Sequence, residues 1–348
     1  MTTSATSAAS TASQQPDLPE QAPSPPPRTW RTAASGAVSG YGALIFLALL
    51  VATFSVAAPD TFPTWDNAKA VLADQSIPGI LALAAILPLA AGEFDLSLGA
   101  ILGFSAIFST WASNAGLPWP LVALLTLLVG CGTGFLNAFL VVKVGVNAFI
   151  ATLGVGTLLA GGNLILTNSS LLTLNSGSFA DLTITKLGGV QTVLGYFLAL
   201  AVALWFAMER TPFGRYLRAT GMGRDAARLS GVRTGRYLTT AFVAAGALAA
   251  IAGLLQASRS GSVPPGIGPD FLLPAYAAAF LGGTTIKAGY FNVWGTVVGV
   301  FLLAVGSNGL TLLGAQTWVT NIFNGTALIV AVAASVLLAR SRATHTSS

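Results

Sequence analysis

The sequence predicts an all-α membrane protein, a polytopic bundle of about ten transmembrane helices. Apolar residues make up 54% of the 348 residues and charged residues only 8%. A soluble domain carries about 25% charged residues, because its surface faces water. Apolar runs of about 20 residues, the length that crosses a bilayer, recur along most of the chain. A surface in contact with lipid explains both observations.

Each apolar stretch predicts one helix, and short polar or glycine-rich connections separate the stretches. The run at 271–284 is shorter than the others and is flanked by Gly and Pro, so a re-entrant segment also fits it. The stretches lie at 37–58, 76–91, 97–113, 118–142, 148–167, 190–208, 237–256, 271–284, 291–312 and 318–339.

The two ends of the chain are polar. Residues 1–35 are rich in Ser, Thr, Ala, Gln and Pro, which predicts a disordered tail with too little apolar surface to fold. The apolar run after it is too long for a signal peptide. We expect residues 36–340 to form the membrane domain and 341–348 a short C-terminal tail.

The distribution of Lys and Arg predicts the orientation. With the N-terminus in the cytoplasm, 13 of the 16 basic residues fall on the cytoplasmic side, and only Lys69, Lys186 and Arg259 fall outside. Ten spans with both termini in the cytoplasm are consistent with this bias. Because seven of the basic residues lie in the single connection 209–236, the positive charge indicates topology rather than nucleic-acid binding.

Residue types also exclude several kinds of site. Cys131 is the only cysteine and His345, the only histidine, lies in the polar tail, so no metal site, disulfide or Ser-His-Asp triad is expected. The chain has no G-x-x-x-x-G-K-[ST] phosphate loop. We therefore expect no cofactor, and an ATP-driven mechanism would need a separate ATPase.

The connection 209–236 is the only substantial one on the cytoplasmic side. Asp225–Ser230 can form a short helix, since Asp225 suits a helix N-terminus and Gly231 a helix end. Such a helix is a possible docking element for a soluble partner. A solvated positive-inside loop at the lipid head groups is the alternative.

The segment 92–103 reads GEFDLSLGAILG and places two carboxylates, Glu93 and Asp95, between two apolar runs. Ionisable groups at membrane depth are costly and usually functional, so a helix break facing a polar path is one interpretation. An ordinary hydrated turn is the other.

Small residues recur four positions apart in several runs, a spacing that lets helices approach closely in lipid. These positions are interpreted as packing surfaces. The pairs are Gly99/Gly103, Gly130/Gly134 and Gly295/Gly299.

Several motifs together resemble those of the permease subunits of ribose/xylose-type ABC sugar importers, the branched-chain-permease-like class. The resemblance covers about 75–335. Its motifs, in order, are GEFDLSLGAILG, VNAFIATLG at 146–154, TPFGRYLRATG at 211–221, ARLSGV at 227–232, FLGGTT at 280–285 and WGTVVGVFLLAVGSNGLTLLG at 294–314. This chain departs from that family at Glu93, where a second Gly is usual.

The resemblance implies a permease in the bacterial plasma (inner) membrane that performs no bond chemistry. It implies a cytoplasmic ABC ATPase, a periplasmic or lipid-anchored sugar-binding protein and a second permease subunit, identical or not. It also implies that 209–236 is the coupling loop on the ATPase, with Gly214, Arg215, Arg218, Asp225, Arg228 and Gly231 as its main residues.

We expect import of a monosaccharide by alternating access. Hydroxyls and amides near helix breaks suit a neutral sugar that must also be released. The candidate pathway residues are Glu93, Asp95, Asn147, Thr152, Thr284 and Asn308.

Three alternatives remain open from the sequence. An ion-coupled secondary transporter would need a relay, for which only Glu93 and Asp95 are available. The same importer class could carry autoinducer-2, a nucleoside or a polyol. A membrane scaffold that transports nothing is the third.

Overall fold

The computed structural model describes residues 30–345 except 176, 287 and 288, and these residues are mostly helical. Residues 1–29 and 346–348, which include most of the N-terminal tail and the end of the C-terminal one, lie outside that part of the chain. The helices are α1 (Trp30–Ala57), α2 (Trp65–Asp74), α3 (Ser76–Ala90), α4 (Leu98–Asn114), α5 (Trp119–Ala138, continued by a π-helical segment Phe139–Val144), α6 (Ala148–Thr167), α7 (Gly177–Ile184), α8 (Thr192–Arg210), α9 (Pro212–Met222), α10 (Arg224–Leu229), α11 (Thr234–Ser260), α12 (Pro269–Thr284), α13 (Val293–Leu312) and α14 (Thr317–His345).

Four two-residue strands form two small antiparallel pairs. Strand β1 (Leu172–Thr173) pairs with β4 (Ser262–Val263), and β2 (Lys186–Leu187) pairs with β3 (Val190–Gln191). The sequence patterns did not predict these strands or α7. Each is too short to show an apolar period.

Each of the ten apolar stretches coincides with one helix: α1, α3, α4, α5, α6, α8, α11, α12, α13 or α14. In the described part of the chain, five helices are long and apolar enough to cross a membrane: α5 with its π-helical extension, α6, α8, α11 and α13. Helices α2 and α3 meet at 40° and together make a sixth candidate. The chain is therefore a multi-pass helical membrane protein.

The helical region extends beyond the predicted membrane domain 36–340. Helix α1 begins at Trp30 and α14 ends at His345. The backbone hydrogen-bond ladder of a helix does not require an apolar environment, so it continues past the end of an apolar stretch.

The outer surface of the long helices is apolar. Ile165 is 77% exposed, Leu158 71% and Ile329 70%. Side chains of this size at such exposure on successive helical turns suit lipid rather than water.

Helix α3 lies at the centre of the bundle. Every residue in it except Pro78 is buried, and it packs against α8, α11, α12 and α13. Long helix α11 runs beside it and also contacts α4 and α5. A movement at the end of α3 therefore acts on the neighbouring helices rather than on lipid.

Glycines bring the helices into close contact, as their spacing predicts. A Cβ built on Gly134 would lie 2.3 Å from the carbonyl oxygen of Phe242, and one on Gly103 would lie 2.1 Å from that of Ile267. The other glycines of the three pairs approach neighbouring backbone in the same way: Gly99, Gly130, Gly295 and Gly299. These contacts confirm the packing role of all three pairs.

Candidate functional site

The connection between α3 and α4, residues 91–97, is a helix break. Hydrogen bonds with side chains inside the bundle hold this break in place. Asp95, fully buried, accepts hydrogen bonds on Oδ1 from the Ser97 N–H at 3.0 Å and from the Ser97 hydroxyl at 2.5 Å. These bonds satisfy donors at the start of α4 that the helix itself leaves free. Gly92, with φ of +81°, makes the turn that ends α3.

Three other helices supply side chains to the break. The Tyr276 hydroxyl on α12 donates to the Asp95 carbonyl at 2.9 Å and accepts from the Asp95 N–H at 3.0 Å. Thr152 on α6 accepts from the Leu96 N–H at 3.0 Å. Asn137 on α5 donates to the Ser97 hydroxyl at 2.7 Å. The break is therefore a junction of five helices, α3, α4, α5, α6 and α12.

The second carboxylate of this segment takes part in a different contact. Glu93 forms an ion pair with Arg224, the first residue of α10. Beside it, a Cβ built on Gly221 would lie 2.3 Å from the Ala90 carbonyl oxygen, so the end of α9 rests directly on the end of α3. The candidate coupling segment thus touches the central helix and the break through backbone and charge.

The segment 209–236 contains more helix than its sequence pattern predicted. The predicted short helix at Asp225–Ser230 is present as α10, but α9 before it was not predicted. Thr211 caps α9 by accepting from the Phe213 N–H at 3.2 Å, and Pro212 occupies its first turn. This Thr-Pro pair is the signal that could have located α9.

Two glycines of the segment shape its backbone. A Cβ on Gly214 would lie 1.9 Å from the Met208 carbonyl oxygen, which makes Gly214 necessary for the corner between α8 and α9. Gly231, with φ of +83°, ends α10 in the left-handed conformation that glycine favours.

The charged residues of the segment divide into internal pairs and exposed groups. Arg218 pairs with Glu209 of α8. Arg228 donates to the Thr234 hydroxyl at 3.0 Å and lies 3.9 Å from Asp225. The Arg215 side chain is exposed.

Exposed apolar residues at the tips of α9 and α10 were not found from the sequence. Leu229 is 90% exposed and Met222 is 72% exposed. Both lie within the most strongly charged connection of the chain. They are candidate contact residues for a soluble partner.

The six candidate pathway residues do not meet at one place. Asp95 and Thr152 belong to the break, joined through Leu96, and Glu93 lies beside α10. Asn147 caps α6 by accepting from the Phe149 N–H at 2.9 Å, and Thr284 bonds to the Leu281 carbonyl of its own helix. Asn308 exchanges two 3.1 Å hydrogen bonds with Asn67.

A cavity of about 350 Å³ lies between α4, α6 and the start of α12. It extends from Leu96, beside the break, to Asn163 and the turn at Pro265. Small residues such as Gly99 and Gly156 leave this space open. None of the six candidate residues lines it, because the sequence marks polar groups and not the gaps between helices.

Comparison with known proteins identifies the family to which the chain belongs. Residues 67–332 match the family model described as the branched-chain amino acid transport system / permease component. The chain is 29% identical to the D-allose transport system permease protein AlsC of Escherichia coli, over 86% of this chain and 92% of that protein. It is 32% identical to the ribose import permease protein RbsC of Haemophilus influenzae, over 83% and 91%.

A third relative is the autoinducer 2 import system permease protein LsrD of Yersinia pseudotuberculosis, 33% identical over 73% of this chain and 78% of that protein. No solved structure matches the chain. The family match covers most of the chain, including the helix break and the segment 209–236. The chain therefore belongs to the permease component family of the branched-chain amino acid transport system type, and it is a membrane subunit of an ABC importer rather than an enzyme.

Proposed function

We propose that this chain carries a monosaccharide of the ribose or xylose type across the bacterial plasma membrane into the cytoplasm by alternating access. As a permease subunit it acts with a separate ATPase, a substrate-binding protein and a second permease subunit. The relatives named for ribose, D-allose and autoinducer 2 support a small, polar, neutral cargo. Among these, two of three names are sugars, which favours a monosaccharide.

The observation that carries this proposal is the contact of α9 and α10 with the end of α3. The Gly221 backbone packs on Ala90, and Arg224 pairs with Glu93. Because α3 is enclosed by other helices, a displacement of α9 and α10 by the ATPase is passed to the break at 91–97. The break holds α4, α6 and α12, which line the 350 Å³ cavity.

We assign ten spans to the ten apolar helices, with both termini in the cytoplasm. The Lys and Arg distribution supports the orientation, and contacts between connections support the grouping of the connections at two ends. Glu93 and Arg224, both assigned to the cytoplasmic side, form an ion pair, as do Asp74 and Arg259, both assigned to the outer side. Strands β1 and β4 also pair between two connections assigned to the outer side.

Within this proposal the candidate residues take different roles. Asp95 and Thr152 hold the break, Glu93 serves the coupling contact, and Asn147 sets the start of α6. The cavity beside Leu96 is the part of the path that this subunit supplies. The segment 209–236 docks on the ATPase through its exposed residues, which include Arg215 and Leu229.

The test uses the chain reconstituted in liposomes with its ATPase and binding protein, and measures uptake of labelled ribose with D-allose as competitor. Leu229→Asp places a charge on the exposed tip of α10 without touching the core. We expect it to lose the ATPase on co-purification in mild detergent and to lose uptake. Leu171→Asp is the matched control, since Leu171 is 59% exposed in a connection assigned to the outer side.

The outcomes separate the alternatives. If the wild type binds no ATPase, the importer assignment of the coupling segment fails. If uptake collapses with a protonophore while ATP is maintained, an ion-coupled transporter is the better account. If ATP-driven uptake occurs but neither sugar competes, the cargo lies elsewhere in the same importer class, with autoinducer 2 tested next.

A further inference from the structure

The hydrogen bonds of the helix break leave two buried oxygens without a donor. Asp95 Oδ1 is fully used by the N–H and hydroxyl of Ser97, but Oδ2 of the same carboxyl group has no partner. Oδ1 of Asn137 also has none, while Nδ2 of that amide donates to Ser97. Asp95 and Asn137 are both fully buried, and both side chains bond to the same Ser97 hydroxyl.

An ionised Asp95 would be an uncompensated charge in this position. The ion pairs in the described part of the chain do not include it. Its titratable neighbour, Tyr276, uses its hydroxyl on the Asp95 backbone, and Glu93, two residues earlier, is paired with Arg224. The other side chains at the break, Thr152 and Asn137, are neutral. A buried carboxylate with one oxygen bare is costly, and a polar group buried without a partner is costly as well.

A single proton removes both the uncompensated charge on Asp95 and the lack of a donor to Asn137. On Asp95 Oδ2 it neutralises the carboxyl group and supplies the donor that Asn137 Oδ1 lacks. A metal cation would need a larger shell of oxygens, about six for calcium, and only two buried side-chain oxygens lack a partner at the break among the described residues.

We propose that Asp95 is a neutral carboxylic acid in the folded protein, with its proton on Oδ2 donated to Asn137 Oδ1. The acid is a positioning residue: it ties α5 to the start of α4 without placing a charge in the interior of the bundle. Because it acts through the break and touches no cargo, this proposal does not depend on the identity of the transported sugar.

The test is infrared spectroscopy of the purified chain at about pH 8, where exposed carboxylates are ionised, in a detergent without ester groups. We expect the carbonyl stretch of a protonated carboxylic acid in the wild type and its loss in Asp95→Asn. The asparagine variant keeps a donor towards Asn137, so we expect it to fold. Asp181→Asn, at an exposed aspartate, is the matched control and leaves the band unchanged.

A second variant covers the case in which Asp95→Asn does not fold. Asn137→Ala removes the acceptor, which weakens hydrogen bonding of the acid and moves its carbonyl stretch to higher frequency. No band in the wild type overturns the proposal, because Asp95 is then ionised and the Asn137 amide is turned to donate to it. A band that neither variant alters overturns it too.

Discussion

At the scale of single residues, the clearest finding is that two carboxylates only two positions apart make contacts with different parts of the molecule. Asp95 is directed into the bundle, where Ser97 holds it, and Glu93 is directed to α10, where Arg224 holds it. The contact of α9 and α10 with the end of α3 therefore combines the Glu93–Arg224 ion pair with the backbone packing of Gly221 on Ala90.

We expect Glu93→Gln and Arg224→Gln each to lower ribose uptake per ATP hydrolysed by about two- to five-fold, the range for a partly exposed ion pair. Both side chains are only partly exposed, at 21% and 35%. The exchange Glu93→Arg with Arg224→Glu restores part of the loss, because it rebuilds the attraction with the charges reversed.

The ratio of uptake to hydrolysis in proteoliposomes measures this effect. Lys69→Gln is the control, because Lys69 pairs with exposed Asp66 at the other end of the bundle. Losses that simply add in the exchange variant would show that the two side chains act independently.

At the scale of elements, close packing of helices rests on glycines at particular faces. Helix α5 carries Gly130, Gly132 and Gly134 within five residues, but only the first and last face α11. Gly132 has open space where its Cβ would be. The two kinds of glycine are therefore distinguishable by substitution with alanine.

We expect Gly134→Ala to lower the free energy of unfolding by about 1–3 kcal/mol, because its methyl group would overlap the Phe242 backbone. Gly132→Ala should leave stability unchanged or raise it by up to about 1 kcal/mol, since alanine favours helix over glycine. Thermal unfolding in detergent compares the two variants with the wild type. Equal midpoints for both would contradict the close contact between α5 and α11.

At the scale of the whole molecule, the connections gather at two ends of the bundle. One end joins the end of α3, the segment 209–236 and residues 289–291 around a cavity of about 150 Å³. The other joins α2, Gln191 and Arg259 around a charged cavity of about 230 Å³. The proposed orientation places the first end in the cytoplasm.

Labelling with a membrane-impermeant maleimide tests that orientation in a Cys131→Ser background. We expect Asp60→Cys, after α1, to react in intact spheroplasts. Asp225→Cys, at the start of α10, should react only after the membrane is permeabilised. Both aspartates are exposed in the isolated chain, so when it is expressed without its ATPase their accessibility differs only through the membrane. The reverse pattern would show that both termini lie outside.

The sequence by itself determined the properties that depend on neighbours along the chain. Ten apolar stretches coincide with helices, and the glycine pairs four apart mark true contacts, because solvent preference and helical period are local. The short helix near Asp225 was recognised for the same reason. Helix α9 was missed although its Thr-Pro start is also local, because the run of charges was interpreted as a loop.

Only the tertiary structure decided which distant residues meet. Glu93 and Arg224 are 131 positions apart, and Asp95 and Tyr276 are 181 apart. Asn137 and Tyr276 carry no local signal, since an amide or a hydroxyl in an apolar helix has many possible partners. Their pairing depends on how the helices pack around α3, and that packing is the sum of many small contacts which no short stretch of sequence records.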